Sequence, residues 1–310
     1  MDDESILESI LWHAKSCRIH DPKRRGLPGQ LAATRKGQGF SSVTNYIFDN
    51  AAEREAAQRF SSLENLHDPH TIRHLLATGV EPGWRCWEIG GGSGSVGRWL
   101  ASRVAPNGHV LMTDIDPRFI SNSGIANLDV RRHDVGTEAL PETGLDLIHV
   151  RLVLIHVPQR STVLEQLVNA LKPGGWLVVE DYDPVIVDRA FPTVNVDDAA
   201  VLRKCLRALR VLMESRGMDM SWGSSLYRRF VDAGLTNVGM EGQLALRPGG
   251  SAGARLDEAN LSQVRDAAVG EGLVTPDDIT RVMSLLEDPG FVFASPVMFT
   301  AWGQRRQAGA

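Results

Sequence analysis

W-R-C-W-E-I-G-G-G-S-G-S-V-G-R-W-L, from Trp84 to Leu100, is the stretch whose reading decides the fold. Apolar residues lead into an acid, Glu88. Gly90, Gly91, Gly92 and Gly94 follow, and an amphipathic run opens at Ser95. The pattern predicts a strand over 85–89, a tight turn and a helix over 96–103. Glycines let the chain turn with φ > 0 and let a ligand approach where a Cβ would block it. The helix start beyond them offers unpaired N–H groups and a positive dipole end. Such a turn builds a site for a nucleotide-like ligand at the mouth of a parallel sheet.

Two frames fit these glycines. Gly92, Gly94 and Gly97 match G-x-G-x-x-G, the dinucleotide fingerprint, which is weak evidence alone. Glu88, Gly90, Gly92 and Gly94 match E-x-G-x-G-x-G. There a carboxylate stands on the strand end, where it repels a pyrophosphate and attracts an amine-bearing ligand.

Working outward, strands and helices alternate. Strands are expected over 109–113, 128–132, 145–150 and 176–179, with a helix over 161–171, which implies a parallel sheet. Asp114 ends the second strand about 20 residues past the glycines, where this kind of fold places an acid on ribose hydroxyls. Asp116, before Pro117, reads as a helix N-cap instead. Further helices are expected over 196–214, 224–233, 257–269 and 276–286, a sixth strand over 236–246 and a last strand over 296–302. Upstream, residues 45–66 read as a helix. Asp68-Pro69 reads as the N-cap and first residue of another, reaching Thr78.

The chain has 310 residues, which suits one α/β domain with a cap. Its hydrophobic content of 43% is enough for a large core and argues against global disorder. A net charge of −5 argues against a protein-wide nucleic-acid surface. Cys17, Cys86 and Cys205 are scattered, form no disulfide framework and suit a cytoplasmic protein. No apolar run is long enough to span a bilayer, and the acidic N-terminus does not read as a signal peptide. His67, His70 and His74 have helical spacing but no accompanying carboxylate or cysteine cluster. A surface position is expected for them, and no metal site.

Taken together, the glycine motif, Asp114, His133-Asp134-Val135 and the K-P-G-G at 172–175 come in the order that resembles class I S-adenosylmethionine (SAM)-dependent methyltransferases. The resemblance covers roughly residues 81–180. The N-terminal Y-I-F-D-N-A and the C-terminal S-P-V-M-F-T-A-W-G are similar to a bacterial, actinobacterial-looking branch acting on natural products. The family implies a Rossmann-like seven-stranded sheet whose last strand is antiparallel. An N-terminal helical cap or lid would occupy 1–67 and the SAM-binding domain 68–310. A helical insert at about 251–290 departs from the minimal pattern.

Carried over by position, Gly90, Gly92 and Gly94 would lie against the methionyl part and ribose of SAM, and Glu88 would act directly or through water. Asp114 would hold the ribose, Ile115 would pack on the adenine, and Asp134 with the Val135 N–H would read the base. Arg151 and Arg59 are the candidates for the methionyl carboxylate. His156, after the fourth strand, is the candidate general base. Asp183, within Asp181-Tyr182-Asp183, and Tyr46, with Phe48 in the lid segment, are the other candidates for contact with the acceptor.

The expected acceptor is a small, aromatic natural-product intermediate, with neither nucleic acid nor membrane as partner. The chain as a whole resembles indole C3-methyltransferases of pyrroloindoline alkaloid biosynthesis, which implies C3 of a tryptamine-type indole. Trp222 is a further candidate for the aromatic slot. An O- or N-methyltransferase using His156 as base, an NAD-linked oxidoreductase and a non-catalytic SAM-binding protein are the alternatives. The extra helices need somewhere to bury their apolar faces, which makes a homodimer the expected assembly.

Overall fold

The computed structural model describes residues 53–120, 124–189 and 195–307, with side chains from residue 59. Helix α1 (Glu53–Ala77) leads into β1 (Arg85–Ile89), α2 (Ser95–Val104), β2 (His109–Asp114), β3 (Leu128–Arg132) and β4 (Leu145–Arg151). Then come α3 (Arg160–Ala170), β5 (Leu171–Asp183), α4 (Val196–Glu214), α5 (Trp222–Asp232) and β6 (Thr236–Gln243). The last group is β7 (Leu246–Pro248), α6 (Ala252–Gly270), α7 (Pro276–Glu287), β8 (Val292–Ala294) and β9 (Val297–Gln304).

The main sheet has seven strands in the order β3-β2-β1-β4-β5-β9-β6. β1 to β5 pair in parallel, and β9 runs antiparallel to both β5 and β6. This is the Rossmann-like methyltransferase sheet expected from the sequence. The order reverses at β1, so the carboxyl ends of β1, β2 and β4 flank the crevice where ligands of such sheets bind.

Strands covered on both faces must be apolar throughout, and β4 is buried from Leu145 to Val150. On one face Trp87, Ile148, Val150 and Val179 pack with Leu167 of α3 and with Trp222 and Phe230 of α5. On the other, Cys86, Met112, Leu147 and Val178 pack with Leu75 of α1 and Leu100 of α2. A separate core joins α4 to the insert: Leu202 and Leu209 meet Leu261, Val264, Val282 and Leu286, with Phe293 of β8. The insert helices start at defined caps. Ser251 accepts from Ala254 N at α6, and Thr275 and Asp278 form a capping box before Pro276 at α7.

Four expectations need correction. Asp68-Pro69 does not start a helix; α1 runs through it, so the expected boundary at 67/68 falls inside one element. An interior proline costs about 3 kcal/mol, here opposed by the full burial of Leu75 and the hydrogen bonds of Thr71. His67 and His74 are not on the surface; both are buried, and His74 lies 5.1 Å from the Trp302 ring. Trp222 is fully buried and packs between Arg229 and Arg160, 4.2 and 5.9 Å from its ring, so it lines no slot. The sixth strand stops at Gln243, and 246–248 instead forms β7, which pairs with β8 in a two-stranded ribbon.

Candidate functional site: the carboxyl edge of the sheet

The glycine turn sits where β1 ends. Gly90 and Gly91 both donate to Thr113 O, at 2.8 and 3.0 Å, which pins the turn against β2. Gly90 has φ +74°, and a Cβ there would fall 2.1 Å from Val153. Gly94 caps α2 with φ +95°. Only glycine meets these conditions without strain. Asp114, half-buried at the tip of β2, accepts from Gly92 N through Oδ2 and from Asp116 N through Oδ1, both at 2.9 Å. Burial raises its pKa, against the backbone bonds from Asp116 and Gly92 that lower it. Ile115 beside it is 41% exposed, an apolar side chain left open at the strand tip. Asp116 caps the 117–119 turn by accepting from Arg118 N, as its place before Pro117 predicts.

Asp134 follows β3 and is half-buried. Its Oδ1 accepts from Gly136 N at 2.9 Å and its Oδ2 from Thr137 Oγ1 at 2.8 Å, so the turn carrying the buried Val135 is held by this carboxylate. His133 is positional: its Nε2 meets Ala139 O at 3.0 Å and its ring stands edge-on to Trp87. α1 reaches over the glycine turn. Phe60 lies 3.3 Å from where a Gly92 Cβ would stand, its ring pairs with Phe119 at 5.4 Å, and Ser93 donates to Glu64. Sequence reasoning gave Phe60 and Glu64 no role at the turn, because nothing in their helix pattern points to the loop.

Beneath the turn lies a buried polar ladder. Glu88 Oε2 meets His149 Nδ1 at 2.6 Å, and His149 Nε2 meets Glu180 Oε2 at 3.3 Å. Glu180 also accepts from Thr71 of α1 and, at 2.7 Å, from Thr300 of β9. Arg151 donates to Thr71 Oγ1 and Asp68 Oδ1, both at 2.9 Å. Burial opposes a charge on His149, but Glu88 and Glu180 prevail and raise it to about 9. Burial likewise opposes the Glu180 charge, yet His149, Arg151 and Thr71 hold it down to about 2.

These features lie within a region of known likeness. A family model described as a methyltransferase domain matches residues 87–177. The ubiquinone/menaquinone biosynthesis C-methyltransferase UbiE of Ectopseudomonas mendocina is 30% identical over 240 residues, covering 67% of this chain and 93% of that protein. The chain belongs to the SAM-dependent methyltransferases. Methyltransferase str2 of Strobilurus tenacellus is 32% identical over 147 residues, 45% of this chain and 48% of that protein, so the chain spans about half the length of that relative. The fold recurs in a candidate methyltransferase from Bacillus halodurans C-125, with a TM-score of 0.50 at 12% identity, covering 76% of this chain and 98% of that one.

The residues present fit the methyltransferase cofactor. A glycine-rich turn, an exposed Ile115 and the Asp114 carboxylate at the tip of β2 line one edge, with Glu88 buried beneath the turn. Of the two candidate cations for a methionyl carboxylate, Arg151 is bonded to Asp68. The half-buried Arg59 lies over the Phe60 ring at 5.8 Å and acts electrostatically on His156.

Leu152, at φ +56° directly after β4, turns the chain sharply and brings 154–156 to the rim. His156 is half-buried there. Desolvation first, then the guanidinium groups of Arg59 and Arg160, lower it to about 3. Asp183 Oδ1 accepts from Val185 N and Ile186 N, at 2.8 and 3.0 Å, and so closes the turn after β5. Asp181 is fully buried, which pushes its pKa well up, against a bond from Ile155 N that lowers it. Tyr182 is half-buried and its hydroxyl meets His67 Nε2 at 2.7 Å. Tyr46 and Phe48 lie outside the described residues.

A second buried cluster ties the insert to the segment after β5 and to β7. Asp257 of α6 accepts from Arg189 at 2.7 Å and from Arg247 of β7 at 3.0 Å, and all three side chains are buried. Among the described residues no group of three or more His, Cys, Asp or Glu is arranged to hold a metal ion, and no helix is long and apolar enough to cross a membrane.

Proposed function

We propose that the protein transfers the methyl group of SAM to a carbon atom of a small natural-product molecule, with C3 of a tryptamine-type indole as the acceptor. When bound, SAM supplies a methyl group already activated on a sulfonium sulfur. The chain then has to align the acceptor and exclude water. Asp114 and Asp134 hold the adenosine end, and Glu88 and Arg151 the methionyl end.

The carbon acceptor is supported by a relative described as a C-methyltransferase and by the lowered basicity of His156. A phenol or an ammonium must lose a proton before it attacks, and that needs a base with pKa near the working pH. His156 at about 3 is a poor proton acceptor. Asp183 spends Oδ1 on backbone N–H groups, and Asp181 is fully buried, away from an acceptor at the rim. An indole C3 needs no prior deprotonation. Its attack forms the C–C bond and leaves an iminium at C2, which a side-chain nitrogen closes as it gives its proton to solvent. The sulfur keeps the electron pair of the broken C–S bond.

Incubating the full-length protein with methyl-labelled SAM and a panel of tryptamines and phenols tests this. Ring-closed, C-methylated indolines are expected. Methyl ethers alone would reject the indole and leave a methyltransferase using His156 or another base.

A further inference from the structure

His149 sits at the centre of β4, fully buried, between two carboxylates on the neighbouring strands. Glu88 of β1 is its register partner, and Glu180 of β5 approaches from the other side. Each ring nitrogen meets a carboxylate oxygen, Nδ1 at 2.6 Å and Nε2 at 3.3 Å. An ionised carboxylate only accepts, and a neutral imidazole carries a single N–H. A ring that donates to both is an imidazolium. Neighbouring strands lie about 4.8 Å apart, so a short side chain with donors at opposite ends is needed to bridge across the middle strand. A glutamine amide or a lysine ammonium has no such opposed, rigid pair.

The bridge reaches further than the two acids. Glu180 accepts from Thr71 of α1 and Thr300 of β9, and Thr71 in turn accepts from Arg151, which holds Asp68. His67 and His74 of α1 also sense the Glu180 charge. α1, β1, β4, β5 and β9 thus each contribute a polar or charged group to this layer, and Glu88 stands at its cofactor end.

We propose that His149 is a positioning residue for the cofactor: donating to Glu88 and Glu180 together, it fixes the Glu88 carboxylate at the foot of the glycine turn and ties it, through Glu180 and Thr71, to the Arg151–Asp68 pair. The proposal rests on the SAM-binding reading of that turn. Glu88 then meets the ammonium of the methionyl end as a fixed charge, with no reorganisation on binding. Without the bridge, two buried carboxylates would face each other across a neutral side chain, with no cation between them to offset their repulsion.

The test is calorimetric titration of S-adenosylhomocysteine (SAH) into wild type and His149→Gln from pH 6 to 8, with thermal melts of both. The ratio of the two affinities cancels the ligand's own titration. We expect His149→Gln to bind about tenfold more weakly or worse at pH 6.5, one pK unit of lost charge being a factor of ten, and to recover as pH rises. A folded variant whose ratio stays within about twofold at every pH overturns the proposal. Should the variant fail to fold, ¹⁵N spectra of the wild-type imidazole decide. Two bound protons up to pH 8 support the bridge, and a neutral ring at pH 7 overturns it. Wild type that binds no SAH removes the cofactor reading instead, while the imidazole spectra still report on the bridge.

Discussion

Arg151, at the tip of β4, donates to Asp68 of α1 at 2.9 Å. The cation placed by sequence at the methionyl end of the cofactor is thus held by a carboxylate of α1. The pair is only partly exposed, 12% and 21% at the two side chains. Asp68→Asn should lower stability by about 1–2 kcal/mol in urea unfolding, the worth of a charge-assisted bond discounted for solvent. Because it frees Arg151, it should leave SAH binding unchanged or tighter, whereas Arg151→Ala should weaken it. Equal tenfold losses in both variants would show that Asp68 supports the site rather than competes for it.

Asp257 stands between two buried arginines, Arg189 and Arg247. Removing the shared anion leaves two guanidinium groups buried together, and breaking such a buried pair typically costs about 3–5 kcal/mol. Asp257→Asn should show that loss in chemical denaturation. Lys204→Ala, which breaks the more exposed pair with Asp278, should cost under about 1 kcal/mol. Similar small losses for both would mean that the Asp257 cluster is hydrated.

The pH dependence of stability follows from the shifted histidines. His149 is raised to about 9, so its contribution is complete below the ordinary histidine value of 6.5 and disappears as pH rises through 9. Asp181, pushed well up by burial, acts in the same direction. His67 and His156, both lowered to about 3, bind protons more readily unfolded than folded, so stability falls as pH drops from 6.5 towards 3. Glu180, lowered to about 2, adds a loss below 4.5. The melting temperature should fall on both sides of about pH 6.5. In His149→Gln the alkaline decline should shrink; an undiminished decline would assign it to other groups.

Much of the sheet was legible because its determinants are local. β1 and β3 occupy 85–89 and 128–132 as the apolar runs and turn residues predict, and α4 spans 196–214. Asp114 falls at its strand tip because the spacing from the glycines is a property of one βαβ unit. The partners of Glu88 were not legible. His149 is 61 positions away and Glu180 another 31, and the alternation of a strand says which residues share a face without saying which strand lies beside it. His67, Thr71 and His74 carry helical spacing that suits a wet or a dry face equally, and the sheet beneath α1 makes it dry. Pro69 misled because a proline is common at a helix start; tertiary packing kept α1 continuous through it.

The account stands most directly on the carboxylate at the tip of β2. Isothermal titration of wild type and Asp114→Ala with SAH, and of wild type with NAD, tests it. SAH should bind wild type and NAD should not. Asp114→Ala should lose about 1.5–3 kcal/mol for each charge-assisted hydrogen bond removed, roughly tenfold or more in affinity. Unchanged SAH affinity in the variant, or NAD binding in its place, would contradict the assignment of this edge to the cofactor.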